Sequence, residues 1–338
     1  MTNENDILLR MITYILFIVG FFALIKGANL LIDGSSAIAK RWGISDLVIG
    51  LTVIAFGTSA PELIVNIIAS MKGTADLALG NIIGSNISNI LLILGVASLI
   101  YPLSIKRGTV WKEIPLSFLA IIALVYLSSD FIFQSSPDSI LSRIDGLILI
   151  GLFFGFIMYT FLSTRVKGEE KIDIHKPSMS SSLFMIITGS AGLFLGGKWI
   201  VDGATLIAHN LGISEAMIGL TIVAIGTSLP ELVTSIVAAF RKNADIAIGN
   251  VVGSNIFNIL WVLGLSSIIK PLTVSSTLTP DIMLLALTTL LLFMFLLHGK
   301  KHLLEFFKKE KIYTLERWEG GAFIIIYILY IISVIIRR

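Results

Sequence analysis

A chain of 338 residues that is 55% hydrophobic and only 14% charged, with a mean hydropathy of +0.93, lies far outside the range of soluble domains and points to a bilayer as its solvent. The absence of cysteine excludes disulfides, thiolate ligands and cysteine nucleophiles. A net charge of +3 and a pI near 9.0 would fit a nucleic-acid partner in a soluble protein, but in a membrane protein basic residues report topology, so no nucleic acid is expected.

A bilayer span needs about 20 mostly apolar residues. Ten stretches qualify: 11–34, 45–71, 76–100, 110–130, 144–164, 181–204, 214–240, 245–269, 279–298 and 318–336. The first has no small-residue cleavage site and reads as a retained helix. The longest charged connectors, 165–178 and 299–317, leave no room for a soluble domain. Loops after spans 1, 3, 5, 7 and 9 hold 17 basic residues against 6 on the other side, which predicts that both termini face outward from a cell membrane.

The second span contains FGTSAPELI, residues 56–64, and the seventh contains IGTSLPELV, residues 225–233. A shift of 169 residues superposes Gly43–Gly95 on Gly212–Gly264 with 30 identities in 53 positions, and RIDG at 143 and RWEG at 317 open the fifth and tenth spans alike. The chain therefore reads as a duplicated five-helix unit. Residues 1–165 form the first repeat, with its motif at 43–95, 166–178 a short cytoplasmic linker, and 179–338 the second repeat, with its motif at 212–264. Five spans are an odd number, so the second copy enters from the opposite face. The expected fold class is an all-α multi-pass membrane protein of two inverted five-helix repeats with broken helices 2, 3, 7 and 8. Secondary transporters are built this way, with sites at the midplane.

Pro61 has no N–H for the carbonyl of Gly57, and its ring disfavours helix at Ala60. Carbonyls from Ala55 to Thr58, and by the same argument from Ala224 to Thr227 beside Pro230, should be freed at membrane depth, where they need a partner. Glu62 and Glu231 follow those prolines directly, and no basic residue lies within spans 2, 3, 7 or 8 to neutralise them. In spans 3 and 8, Asn81, Ser85 and Asn89, and Asn250, Ser254 and Asn258, line one helical face each. Carboxylate, hydroxyl, amide and carbonyl oxygens suit a hard cation, calcium or sodium, while the four histidines lie at or outside span ends and disfavour zinc. Asp76 and Asp245 read as helix N-caps.

The paired GTSAPE and GTSLPE motifs, each followed 23 residues after its Glu by the Ser of GSNISN or GSNIFN, resemble the two alpha repeats of the cation/calcium exchanger superfamily, above all the prokaryotic sodium/calcium exchangers. The resemblance implies a diamond of ligands around one calcium position flanked by sodium positions. Its residues would be Ala55, Thr58, Ser59, Glu62, Ser85 and Asn89 with Ala224, Thr227, Ser228, Glu231, Ser254 and Asn258. Spans 1 and 6 would slide as a pair to give alternating access. Potassium-carrying members have Asp where this chain has Asn258, which argues against potassium coupling. The large calcium-sensing domain of animal members is absent from the connector 165–178.

Two carboxylates balance one calcium or about two sodium ions, so exchange of sodium for calcium, with no cofactor and no obligate protein partner, is the expected activity. The alternative is a proton/calcium antiporter on the same glutamates. An intramembrane hydrolase would need a Ser–His pair or paired aspartates within the membrane, which the sequence lacks, so no enzyme is expected. A passive channel would show uncoupled flux.

Overall fold

The computed structural model describes residues 4–128, 139–163, 177–211, 224–298 and 312–337. Among them eight helices are long and apolar enough to cross a membrane, and a bent pair makes a ninth. In chain order, apart from the short helical turns Arg107–Trp111 and Ser276–Leu278, the helices are α1 (Glu4–Trp42), α2 (Asp46–Thr58), α3 (Ala60–Lys72), α4 (Ala75–Ile100), α5 (Glu113–Ser128), α6 (Arg143–Ser163), α7 (Met179–Asn210), α8 (Ala224–Thr227), α9 (Leu229–Phe240), α10 (Ala244–Ile269), α11 (Thr279–His298) and α12 (Arg317–Arg337). The first half of the expected seventh span, 214–223, lies outside the described residues, as does most of the linker.

The centre of the molecule is α4 and α10. Their most apolar windows are 78% and 94% buried, against 11–39% for the other long helices, whose outward faces carry Leu, Ile and Phe side chains suited to lipid. On the outside, α1 and α7 pack antiparallel along their length. Glycines allow that closeness: a Cβ on Gly20 would stand 2.9 Å from the carbonyl oxygen of Gly196, and one on Gly27 2.8 Å from that of Gly189.

The second expected span bends by 49° between α2 and α3, at Ser59. Pro61 sits in the first turn of α3, where its missing N–H costs no hydrogen bond, so the proline starts a helix rather than interrupting one. Breaks expected in the third and eighth spans are not found. Instead α4 and α10 run unbroken for 26 residues each, with a π-helical turn at Asn89–Ile93 and at Phe257–Val262. Neither segment contains proline, so the hydrogen-bond ladder widens by one residue instead of parting.

The all-helical membrane fold carries two small antiparallel ribbons in its connectors. Pro102 and Pro271 end α4 and α10, forcing Tyr101 and Lys270 into extended backbone. The chain then continues as β1 (Leu103–Lys106) and, later, β3 (Leu272–Thr273). Strand β1 pairs with β4 (Ile312–Leu315) ahead of α12, and β2 (Ile140–Leu141), ahead of α6, pairs with β3. The exit of each central helix is thus tied to the entry of a helix from the other half.

Candidate cation site

The motif residues converge between the bend at Ser59 and the centres of α4 and α10. Glu62 and Glu231 are both fully buried, as are Thr58, Ser59, Asn89, Ser254 and Asn258, and Ser85 and Ser228 are nearly so. The halves interlock. Ser59 Oγ, from the first motif, donates to Glu231 Oε1 at 2.7 Å. Ser85 Oγ donates to Glu62 Oε1 at 3.2 Å and lies 3.1 Å from Ser228 Oγ of the second motif. Ser254 reaches Glu231 Oε1 at 3.5 Å, repeating the Ser85–Glu62 contact 169 residues on. Each glutamate therefore has donors on Oε1, while Glu62 Oε2 and Glu231 Oε2 have none.

Of the other donorless buried oxygens among the described residues, two belong to expected ligands, Asn89 Oδ1 and Asn258 Oδ1. The four orphans form two pairs of equivalent residues, and an orphaned buried acceptor costs about 1–3 kcal/mol, more when charged. Acceptors without donors, grouped around two carboxylates, are what a desolvated cation satisfies. Among the described residues no three His, Cys, Asp or Glu side chains gather, so the donor set is two carboxylates plus neutral oxygens, which is hard-cation chemistry.

Other expected ligands are placed less simply. The carbonyl of Ala55 is not released by the bend: it accepts the N–H of Ser59 at 3.0 Å and the hydroxyl of Thr58 at 3.2 Å, because the chain parts one residue later. Thr58 Oγ1 also lies 3.0 Å from Asn250 Oδ1, and its counterpart Thr227 lies 3.5 Å from Asn81 Oδ1. Asn81 and Asn250 act as struts: Asn81 Nδ2 donates to Asn66 Oδ1 at 2.8 Å and Asn250 Nδ2 to Ser235 Oγ at 3.0 Å. Ala224 begins the four-residue α8. Gly57 and Gly226 matter for packing, since a Cβ on Gly57 would meet Ser190 Oγ of α7 at 2.7 Å.

Asn86 and Asn255, adjacent to the serines, escaped the sequence reading. They are buried at the contact of α4 and α10, where each side-chain amide donates to the other's backbone carbonyl, at 3.2 and 3.4 Å. Their presence at equivalent positions of both repeats was the available signal. The N-caps also differ: Thr74 and Asn243 precede α4 and α10, and Asp76 and Asp245 lie in the first turns.

The model of the sodium/calcium exchanger protein family matches residues 12–162 and 181–336, nearly the whole chain. The chain belongs to that family. The sodium/calcium exchanger MaX1 of Methanosarcina acetivorans is 30% identical over 95% of this chain and 98% of its own length. The inner membrane protein YrbG of Escherichia coli is 36% identical over 76% of this chain and 79% of its own. Among solved structures, the sodium-calcium exchanger NCX_Mj soaked with 10 mM Na+ and zero Ca2+ superposes with a TM-score of 0.80 at 34% identity, covering 96% of this chain and 99% of that one. This member of the exchanger family is thus a multi-pass membrane protein with the fold of a known cation/calcium antiporter.

Proposed function

We propose that the chain is a secondary antiporter that exchanges sodium for calcium across the cell membrane by alternating access, with Glu62 and Glu231 sharing the ions. The observation that carries this reading is the set of four donorless buried oxygens, two carboxylate and two amide, contributed equally by the two halves. The remaining ligands are Thr58, Ser59, Ser85, Asn89 and Ala55 with Thr227, Ser228, Ser254, Asn258 and Ala224; the carbonyl of Ala55 becomes available only if the Thr58 hydroxyl turns away from it.

Ten spans in two inverted units, residues 1–165 and 179–338 with the short linker 166–178 between them, and both termini outside the cell complete the proposal. Support for the inverted arrangement comes from paired features 169 residues apart: the mutual Asn86–Asn255 bonds, and the ribbons, in which β1 and β3 leave equivalent helices. The linkers after spans 3 and 9 supply one ribbon, and those after spans 4 and 8 the other, so the two ribbons fall on opposite membrane faces. Calcium and sodium are cargo, and neither a cofactor, nor enzymatic chemistry, nor a protein partner enters the account.

A proton/calcium antiporter is the competing reading. Sodium is favoured because Asn89 Oδ1 and Asn258 Oδ1 are neutral acceptors that ligate a metal ion but do not take up a proton near neutral pH. Calcium uptake into proteoliposomes under an imposed sodium gradient with pH clamped on both sides tests this. Uptake that follows the sodium gradient is expected, and uptake indifferent to sodium but driven by a pH gradient would assign the counter-ion to protons.

A further inference from the structure

The orientations of the two orphaned amides are not independent of the rest of the core. Asn89 Nδ2 donates to Asn255 Oδ1 at 2.9 Å, and Asn258 Nδ2 donates to Asn86 Oδ1 at 3.0 Å. Asn86 and Asn255 have no choice of flip, because the nitrogen of each is committed to the backbone carbonyl of the other. A backbone carbonyl only accepts, so that nitrogen must face it and the side-chain oxygen must face away. Asn89 and Asn258 must then present nitrogen to that oxygen, which leaves their own oxygens without a donor. A flip of either ligand amide would set oxygen against oxygen in a buried site.

We propose that Asn86 and Asn255 are positioning residues that hold the carboxamides of Asn258 and Asn89 with oxygen toward the cation, each acting on the ligand of the other half. This rests on the exchanger reading. The same polarity makes the framework selective for a neutral amide: a carboxylate at position 89 or 258 has no hydrogen for the waiting oxygen of Asn255 or Asn86 unless it takes up a proton. The site therefore carries two negative charges, matched to one divalent cation.

The test is a double-mutant cycle on the full-length chain in detergent, with calcium chloride as the probe and binding read by titration calorimetry. Asn86→Ala should weaken calcium binding by roughly 10- to 100-fold, the usual loss when a group that orients a metal ligand is removed. On an Asn258→Ala background, Asn86→Ala should add no further loss, because there is no amide left to orient. Independent structural effects would add. If Asn86→Ala does not accumulate, Asn255→Ala with Asn89→Ala provides the equivalent cycle. Parent-like binding by Asn86→Ala, or additive losses on a parent that binds calcium, overturn the positioning assignment alone. A parent chain that binds no calcium overturns the exchanger reading as well.

Discussion

Ser59, three residues before Glu62 in the first motif, donates its hydroxyl not to that glutamate but to Glu231 of the other half, at 2.7 Å. Ser228, three residues before Glu231, lies 3.1 Å from the hydroxyl that serves Glu62. The short spacing Ser-x-x-Glu, repeated in both motifs, thus builds a crossed site in which neither half is complete alone. The bend at Ser59 makes the crossing possible, because a straight helix would carry Ser59 and Glu62 as neighbours on one face.

Ser59→Ala should accordingly impair the function of Glu231. Loss of a hydrogen bond to a charged group costs about 1.5–3 kcal/mol, so calcium affinity should fall roughly 10- to 100-fold while the protein remains folded. Calcium titration of the purified variant, alongside its thermal stability, measures both. Parent-like affinity would mean that the hydroxyl does not help to shape the site.

The crossing of α1 and α7 should be intolerant of added volume. Gly27→Val or Gly196→Val would drive carbons into backbone atoms already within 3 Å of a Cβ, an overpacking cost of about 1–3 kcal/mol. Gly151→Val in α6, where a Cβ would meet nothing within 4 Å, is the matched control. Melting in detergent should separate the two groups; equal effects would remove the close-packing explanation for these glycines.

Arg241, at the end of α9, forms an ion pair with Asp33 and a hydrogen bond with Asn29, both on α1. The repeat-related residues Lys198 and Asp202 instead pair within α7, at 2.6 Å. Exposed pairs of this kind contribute about 0–1 kcal/mol, so Arg241→Gln should barely change stability. It stands ten residues beyond Glu231, about 15 Å along a helix, so calcium affinity should also hold. If α1 moves during exchange, the tether sets the rate. Reconstituted Arg241→Gln should show an altered maximal exchange rate at unchanged KM, and the reverse pattern would count against a tether.

Much of this was legible in the sequence because it depended on identity and spacing. Pro61, followed by a buried glutamate, marked the bend at Ser59, and the 169-residue shift paired the candidate site residues of the two motifs. What stayed hidden depended on tertiary context. No pattern distinguishes the π-helical turns of α4 and α10 from breaks, since both begin from the same glycine- and asparagine-rich run. The role of Asn86 and Asn255 follows from which carbonyl faces which amide across two helices, and the choice of Arg241 for Asp33 rather than a neighbour on its own helix is a packing outcome. The ribbons were half visible, in Pro102 and Pro271, but their partners lie more than a hundred residues away.

The most direct measurement is the number of calcium ions bound per chain, by equilibrium dialysis with radioactive calcium, in the parent and in Glu62→Gln and Glu231→Gln separately. Removing one partner of a buried ion pair costs about 3–5 kcal/mol, so one ion per parent chain and a loss of at least roughly 100-fold in affinity in either variant is the predicted result. Two ions per chain, or near-parent affinity surviving in one of the two variants, would contradict a single cation shared by both carboxylates.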